Sequence, residues 1–186
     1  MSGHHLILGE LADVITGVML QDTHDERYRQ GIAALLVNEK GFVRDEIKPR
    51  LQLTAKADEK CAIIKIDFGI ILDNKMCMMI KYGPGSLVTR HRPALAASRM
   101  LVSYQIPVVV VTNGVEAEIL DGSSGKIMDR GLDAIPDRKL LEKLVAERTF
   151  SLIQPDRVAK ESRIVYAYEV DGSCPCDDTI CKIGEC

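Results

Sequence analysis

The stretch IKIDFGIILDNKMCMMIKY, residues 64–82, decides the fold, because two apolar runs flank a short polar segment. This pattern predicts a β-hairpin. A three-residue loop at 73–75 sets Leu72 opposite Met76, and the apolar side chains of both strands then lie on one face of the hairpin. That face carries Ile64, Ile66, Phe68, Ile70 and Leu72 on the first strand, and Met76, Met78, Ile80 and Tyr82 on the second.

The same register places two charged residues, Asp67 and Lys81, opposite each other on the second face. Burial of a charge without a partner is costly, so this pair needs an explanation. One interpretation is a cross-strand ion pair worth ~0.2–1 kcal/mol. The other is a site in which Asp67 binds a hard cation such as Mg²⁺ and Lys81 orients a water molecule or stabilises charge on a phosphate group.

The elements on both sides of the hairpin predict the fold class. The spacing of apolar residues indicates a helix over about residues 24–40, with Thr23 and Glu26 as a capping box. The run IPVVVVTNG, from residue 106, is typical of a strand buried on both faces. Further elements are a strand over 47–55 with Pro49 at a sheet edge, a helix beginning at Pro93, a hairpin over 117–128 and a helix over 136–148. Residues 162–170 fit either a helix or a strand, and the whole order predicts an α/β fold with a mixed central sheet flanked by helices.

Length and composition suit one packed domain, since the chain has 186 residues, of which 46% are hydrophobic and 27% are charged. We divide the sequence into an N-terminal segment 1–20, a domain 21–172 and a Cys-rich tail 173–186. No apolar run is long enough to span a membrane and the N-terminus lacks a basic signal region, so we expect a cytoplasmic protein. With a net charge of -3, any nucleic-acid binding requires a local basic patch.

A candidate basic patch follows the hairpin, in the loop GPGSLVTRHR and the helix after it. Arginine side chains at a helix N-terminus bind phosphate groups, and such contacts position a nucleic-acid backbone without reading its bases. The alternative is an ordinary solvated surface loop. The residues predicted to bind nucleic acid are Arg90, His91, Arg92 and Arg99.

The tail DGSCPCDDTICKIGEC contains four closely spaced cysteines, and in a reducing compartment such cysteines favour metal or redox chemistry over disulfides. Four thiolates can bind Zn²⁺ or an iron–sulfur cluster. The alternative is a tail without a metal. The predicted ligands are Cys174, Cys176, Cys181 and Cys186.

The order of Asp67 and then Met79-Ile80-Lys81 on consecutive strands resembles the PD-(D/E)xK nucleases. Together with DERYRQGIAALLVNEKGF before it and YQIPVVVVTNG after it, the sequence over about residues 20–130 is similar to the N-terminal nuclease domain of type I restriction enzyme R subunits. The resemblance implies a restriction-endonuclease-like fold, DNA as the partner and a divalent cation such as Mg²⁺. It also implies that Asp67 is the metal ligand, Lys81 the catalytic lysine and Glu26 an acid from the first helix, for which the capping box is the alternative role.

Two positions depart from the pattern of that family. Met79 stands where the family has Glu or Gln, and a thioether is a poor ligand for Mg²⁺. Met100 stands at the Gln place of a Gln-x-x-x-Tyr motif whose Tyr is Tyr104. Three hypotheses therefore stay open: metal-dependent DNA hydrolysis, a catalytically degenerate module that binds nucleic acid or a protein partner, and a redox or metal-sensing module based on the Cys tail.

Overall fold

A computed structural model of the protein describes residues 7–171 and 180–185. The helices are α1 (His24–Asn38), α2 (His91–Ser98), α3 (Arg138–Ala146) and α4 (Pro155–Tyr166), which a π-helical turn, Ala167–Asp171, extends. The strands are β1 (Gly9–Ala12), β2 (Met19–Asp22), β3 (Ile47–Ala57), β4 (Lys60–Leu72), β5 (Lys75–Tyr82), β6 (Val108–Thr112), β7 (Ala117–Asp121), β8 (Ile127–Arg130) and β9 (Ile180–Glu185). Short 3-10 turns precede β3 and α2, at Arg44–Glu46 and Val88–Arg90. No helix among the described residues is long and apolar enough to cross a membrane.

The predicted mixed α/β architecture is confirmed. Six strands form a sheet in the order β3-β4-β5-β6-β7-β8, in which β5 and β6 are parallel and the other neighbours antiparallel, while β9 pairs with the first part of β4. Helices α1 and α3 supply Leu36 and Leu141 to the core on one face of the sheet. Helices α2 and α4 supply Leu95 and Val165 to a second core on the other face.

The central hairpin is formed by β4 and β5, but its loop has two residues, not the predicted three. Asp73 and Asn74 both adopt positive φ, 48° and 59°, and Leu72 consequently faces Lys75. Two positive φ angles are the signature of the tight turn whose twist matches that of a hairpin. A register shift after Ile70 adds one residue to β5, so that Phe68 faces Ile80, as in the predicted register.

The predicted sharing of one apolar face along β4 is wrong. Ile64 and Ile66 pack in the core beneath α2 and α4, whereas Phe68 packs in the core beneath α1 and α3. The face changes beside Arg50 on β3, whose φ of 51° lies in the left-handed region and interrupts the ladder between Pro49 and Leu51. Strict alternation of side chains holds only where the ladder is regular.

The other local predictions agree with the structure apart from their ends. Helix α1, strand β3, the fully buried strand β6, the β7–β8 hairpin and helix α3 are all confirmed. Helix α2 begins at His91, two residues before Pro93, and the ambiguous segment 162–170 is helical. The β1–β2 hairpin was not predicted, and its first strand and Asp13 lie in the predicted N-terminal segment.

A buried carboxylate fastens α4 to α2. The side chain of Glu161 has no solvent exposure and accepts hydrogen bonds from Arg99 and Arg157 on one oxygen and from Arg92 on the other. Burial by itself would raise the pKa of this carboxyl, but the hydrogen bond from Arg157 and the charges of Arg99 and Arg92 outweigh it and hold the pKa below its usual value. Glu161 therefore stabilises the fold in its charged form.

We expect acid to weaken the fold through Glu161. Because the folded-state pKa lies below the ordinary value of 4.5, the stabilisation is present above pH 4.5 and is lost as the pH falls towards the folded-state pKa. Glu161→Gln should lose about 3 kcal/mol of unfolding free energy at pH 7 and depend less on pH below 4.5. Urea unfolding from pH 7 to pH 3 measures both effects, with the exposed Glu116→Gln as the control. Parallel pH profiles for Glu161→Gln and the wild type would contradict the assignment.

Candidate functional site

Asp67 lies where the edge of β4 changes partners. The pairing of β9 with β4 extends from Lys60 to Ile64, and the pairing of β5 with β4 begins at Phe68. Residues 65–67, which we call the β4 gap, lie between the two ladders. On this edge of β4 the segment has no strand partner, although Lys65 and Ile66 pair with β3 on the other edge. Side chains can therefore reach the backbone here, and the Asp67 side chain occupies this space.

Both oxygens of the Asp67 carboxylate accept hydrogen bonds. Oδ1 accepts from Nε of Arg29 on α1 at 2.8 Å, and Oδ2 accepts from the backbone N–H of Tyr82 on β5 at 2.7 Å. The Arg29 guanidinium also lies 5.1 Å from the centre of the Tyr82 ring. Asp67 thereby joins α1, β4 and β5, and its side chain is only 7% exposed.

Only the Thr23 half of the predicted capping box is formed, and the Glu26 side chain has other partners. The backbone N–H of Glu26 donates to Oγ1 of Thr23 at 3.1 Å, which confirms Thr23 as the N-cap of α1. Its carboxylate accepts hydrogen bonds from Gln30 and Arg50, and it lines the same cleft as Asp67. The backbone of Glu26 is therefore capped while its side chain faces the candidate site.

Lys81 is buried on the opposite side of β5 from Tyr82, with 2% exposure. Its ammonium lies 3.0 Å from Oε2 of Glu169 in the π-helical turn and donates to the carbonyl oxygen of Lys65 at 3.3 Å. The predicted cross-strand ion pair is not formed, because Asp67 and Lys81 each have a different partner. Sequence reasoning missed Glu169 because the segment that carries it fits a helix or a strand equally well.

Met79 and Met100, the two residues that depart from the family's pattern, both pack among apolar side chains. Met79 has no solvent exposure and packs in the core with Val109 and Val111 of β6. Met100 is partly buried against the same core. The Tyr104 hydroxyl instead accepts a hydrogen bond from the N–H of Met76 at 2.6 Å, which fixes the start of β5 rather than the region of Asp67.

A cleft of about 130 Å³ opens beside Asp67. We call it the Asp67 cleft, and it is lined by Glu26, Arg29, Arg50, Gln52, Lys65, Ile66, Asp67 and Phe68. Arg50, whose side chain is 38% exposed, reaches both Asp13 and Glu26 from its left-handed position on β3. Burial would raise the pKa of the Asp13 carboxyl, but hydrogen bonds from the Thr16 amide and from Arg50 lower it below its ordinary value. The lining thus contains three cations and two carboxylates.

None of the three cations was predicted as a site residue from the sequence, and the reasons differ for Arg29 and Arg50. Arg29 follows Glu26 by three residues on α1, a spacing that places both side chains on one helix face, so this signal was available. Arg50 follows Pro49 in an edge strand, where an alternating pattern would point it to one face of the sheet. It has a positive φ instead of an extended conformation, and nothing in the local sequence indicates that angle.

The four residues of the predicted phosphate-binding patch lie in three separate places. Arg90 packs on Gly83 and donates to the carbonyl oxygen of Pro84 at 2.7 Å, and His91 contacts Glu118. Arg92 and Arg99 both contact Glu161. All four therefore have acceptors within the protein, and the structure does not bring them together around one point.

The predicted metal sites can be compared only in part with the structure. Among the described residues, no group of three or more His, Cys, Asp or Glu side chains lies close enough together to hold a metal ion. Cys174, Cys176 and Cys186 lie outside the described residues, and Cys181 is described only through the backbone of β9.

Comparison with known proteins gave one match. The family model described as the N terminus of the type I restriction enzyme R protein matches residues 24–136, which is more than half of the chain. The matched range runs from the start of α1 to just before α3, so it contains Asp67, Met79 and Lys81 but not Glu161 or Glu169. Neither the curated proteins nor the solved structures contained a match.

We predict that Lys81 and Glu169 form an energetically coupled pair. Glu169→Leu or Lys81→Met alone should cost about 3–5 kcal/mol of unfolding free energy, because each leaves a buried charge without its partner. The double variant Lys81→Met/Glu169→Leu should recover most of this loss. Urea unfolding of the three variants measures the coupling, and strictly additive losses would show that the two charges act independently.

Proposed function

The chain belongs to the family of type I restriction enzyme R protein N termini, and on this premise we propose that it is a DNA-binding domain of nuclease descent that does not cleave DNA. A restriction-endonuclease-like fold is part of this proposal. Its support is the mixed sheet that carries Asp67 and Lys81 on neighbouring strands, with the acid Glu26 approaching from the first helix.

The observation that carries the proposal is the engagement of both Asp67 oxygens, by Arg29 and by the Tyr82 amide. A divalent cation binding to Asp67 would have to share the carboxylate with a guanidinium 2.8 Å away, and the two positive charges would repel each other. The acidic or amide side chain that the family has at position 79 is also missing, because that residue is a buried methionine. This donor set does not fit a hard divalent cation.

The Asp67 cleft offers cationic contacts to an anionic ligand. Arg29, Arg50 and Lys65 line it beside the carboxylates of Glu26 and Asp67, and Arg50 also contacts Asp13. Guanidinium and ammonium groups are the usual partners of DNA phosphates, and such contacts provide affinity without sequence preference. The restriction enzyme family supplies the DNA context.

Metal-dependent hydrolysis is the second candidate function, and one observation favours it. Glu26 and Asp67 line the same cleft, so two carboxylates from different elements are present where hydrolysis would require them. In that case Asp67 and Glu26 would hold the cation. Lys81 would have to leave Glu169 to assist, because its ammonium is now paired.

DNA binding should depend on the cations Arg50 and Lys65 of the cleft. We expect Arg50→Gln/Lys65→Gln to weaken binding to a short DNA duplex about a hundredfold, because two charge-assisted contacts are lost, and to reduce the slope of log affinity against log salt by about two. Fluorescence anisotropy at several salt concentrations measures both quantities. The matched control Lys139→Gln/Lys143→Gln removes two exposed charges from α3, outside the cleft lining. Equal losses of DNA affinity in the two double variants would show that the Asp67 cleft does not contact the DNA.

A cleavage assay separates the two candidate functions. Supercoiled plasmid incubated with the wild-type protein and Mg²⁺ or Mn²⁺ should stay intact, while DNA binding under the same conditions is retained. Asp67→Ala and Lys81→Ala are run beside it to identify contaminating nuclease. Nicking by the wild type that disappears in both variants would establish hydrolysis and refute the non-cleaving proposal.

A further inference from the structure

A second cluster of charged residues lies between α2 and α4. It consists of Glu161, Arg92, Arg99 and Arg157, and we call it the Glu161 cluster. Arg157 and Glu161 lie outside the range that the family model matches, and none of the four lines the Asp67 cleft.

The cluster contains more positive charge than its buried carboxylate can neutralise. One carboxylate accepts hydrogen bonds from three guanidinium groups, which leaves two positive charges in excess at this point of the surface. The repulsion acts on Arg99, whose pKa is lowered by burial and by the nearby charges of Arg157 and Arg92, although Glu161 opposes the shift. One arginine already balances the charge of the carboxylate, so the other two add positive charge to this part of the surface.

The two excess arginines face solvent, unlike the third. The side chain of Arg99 is 9% exposed and also bonds to Gln105 and to the carbonyl oxygen of Gly122. The side chains of Arg92 and Arg157 are 44% and 53% exposed. A guanidinium has five N–H donors in a planar fork, so each exposed arginine can bond to Glu161 and still present donors to an external anion.

We infer that Arg92 and Arg157 form a second phosphate-binding site, fixed in place by Glu161, and that its ligand is a phosphodiester group of the DNA backbone. The inference rests on the proposed function for the source of the phosphate, while free phosphate has the same chemistry. Glu161 acts here as a positioning residue, because it orients two flexible side chains before the anion arrives and so reduces the entropy lost on binding. The Asp67 cleft and the Glu161 cluster would then contact different phosphates of one DNA molecule.

The control for this site lies on the same helix. Arg163 on α4 is 71% exposed and lies 3.6 Å from the exposed Asp58, away from Glu161. Arg163→Gln removes the same charge from the same element without touching the cluster. Circular dichroism and urea unfolding identify the variants that remain folded, and Arg92→Gln replaces Arg157→Gln if the latter does not fold.

The experiment titrates a short DNA duplex, and separately inorganic phosphate, into the full chain and its variants. We expect Arg157→Gln and Arg92→Gln each to weaken duplex binding about tenfold and to lower the salt slope by about one, with a much smaller change for Arg163→Gln. Effects equal to those of Arg163→Gln overturn the site, while the cleft variants continue to test the proposed function. If the wild type binds no duplex, the proposed function fails, and the phosphate titration then tests the site of Arg92 and Arg157 by itself. Saturable phosphate binding that Arg157→Gln abolishes keeps the site with free phosphate as its ligand, and its absence overturns it.

Discussion

The structure depends on one carboxylate at the place where β5 leaves β4. Beyond the Phe68–Ile80 pair the two strands no longer share a ladder, and the N–H of Tyr82 would lack a partner on the β4 side without the side chain of Asp67. The other oxygen of the same carboxylate anchors Arg29, and with it α1, to the sheet. A buried carboxylate that accepts two hydrogen bonds, one of them from a cation, has a partner for each of its oxygens. Asp67 therefore lets the sheet open at its centre without leaving a buried donor unpaired.

Other charges in the described core follow the same rule, and each pair connects two elements. Lys81 of β5 contacts Glu169 after α4, and Glu161 of α4 contacts Arg99 after α2. In both pairs the charges come from elements far apart in the sequence, so the pairs specify how α4 packs against the sheet and against α2. Asp67 and Lys81, to which the resemblance assigns nuclease chemistry, take part here in buried ion pairs that connect elements. These ion pairs, together with the methionine at position 79, are the physical basis for proposing binding without cleavage.

Local patterns predicted most of the elements but not their irregularities. The apolar runs around 73–75 indicated the hairpin, and the run of valines at 108–111 indicated the strand buried on both faces. The two-residue turn and the bulge that compensates for it offset each other, so the predicted register near Asp67 was right although the predicted loop was wrong. The change of face along β4 had no local signal, because it depends on the left-handed conformation of Arg50 on a neighbouring strand.

The sequence by itself determined helices α1, α2 and α3, the central hairpin, the strand buried on both faces, and the presence of Asp67 and Lys81 on adjacent strands near Ile80. These features follow from the periodicity of apolar residues over short segments, which does not depend on how the segments pack together. Tertiary structure alone decided which partner each charge takes: Arg29 for Asp67 across 38 residues, and Glu169 for Lys81. A charge pairs with whatever opposite charge the fold brings within a few ångströms once water is removed, and that proximity exists only after the helices have packed on the sheet.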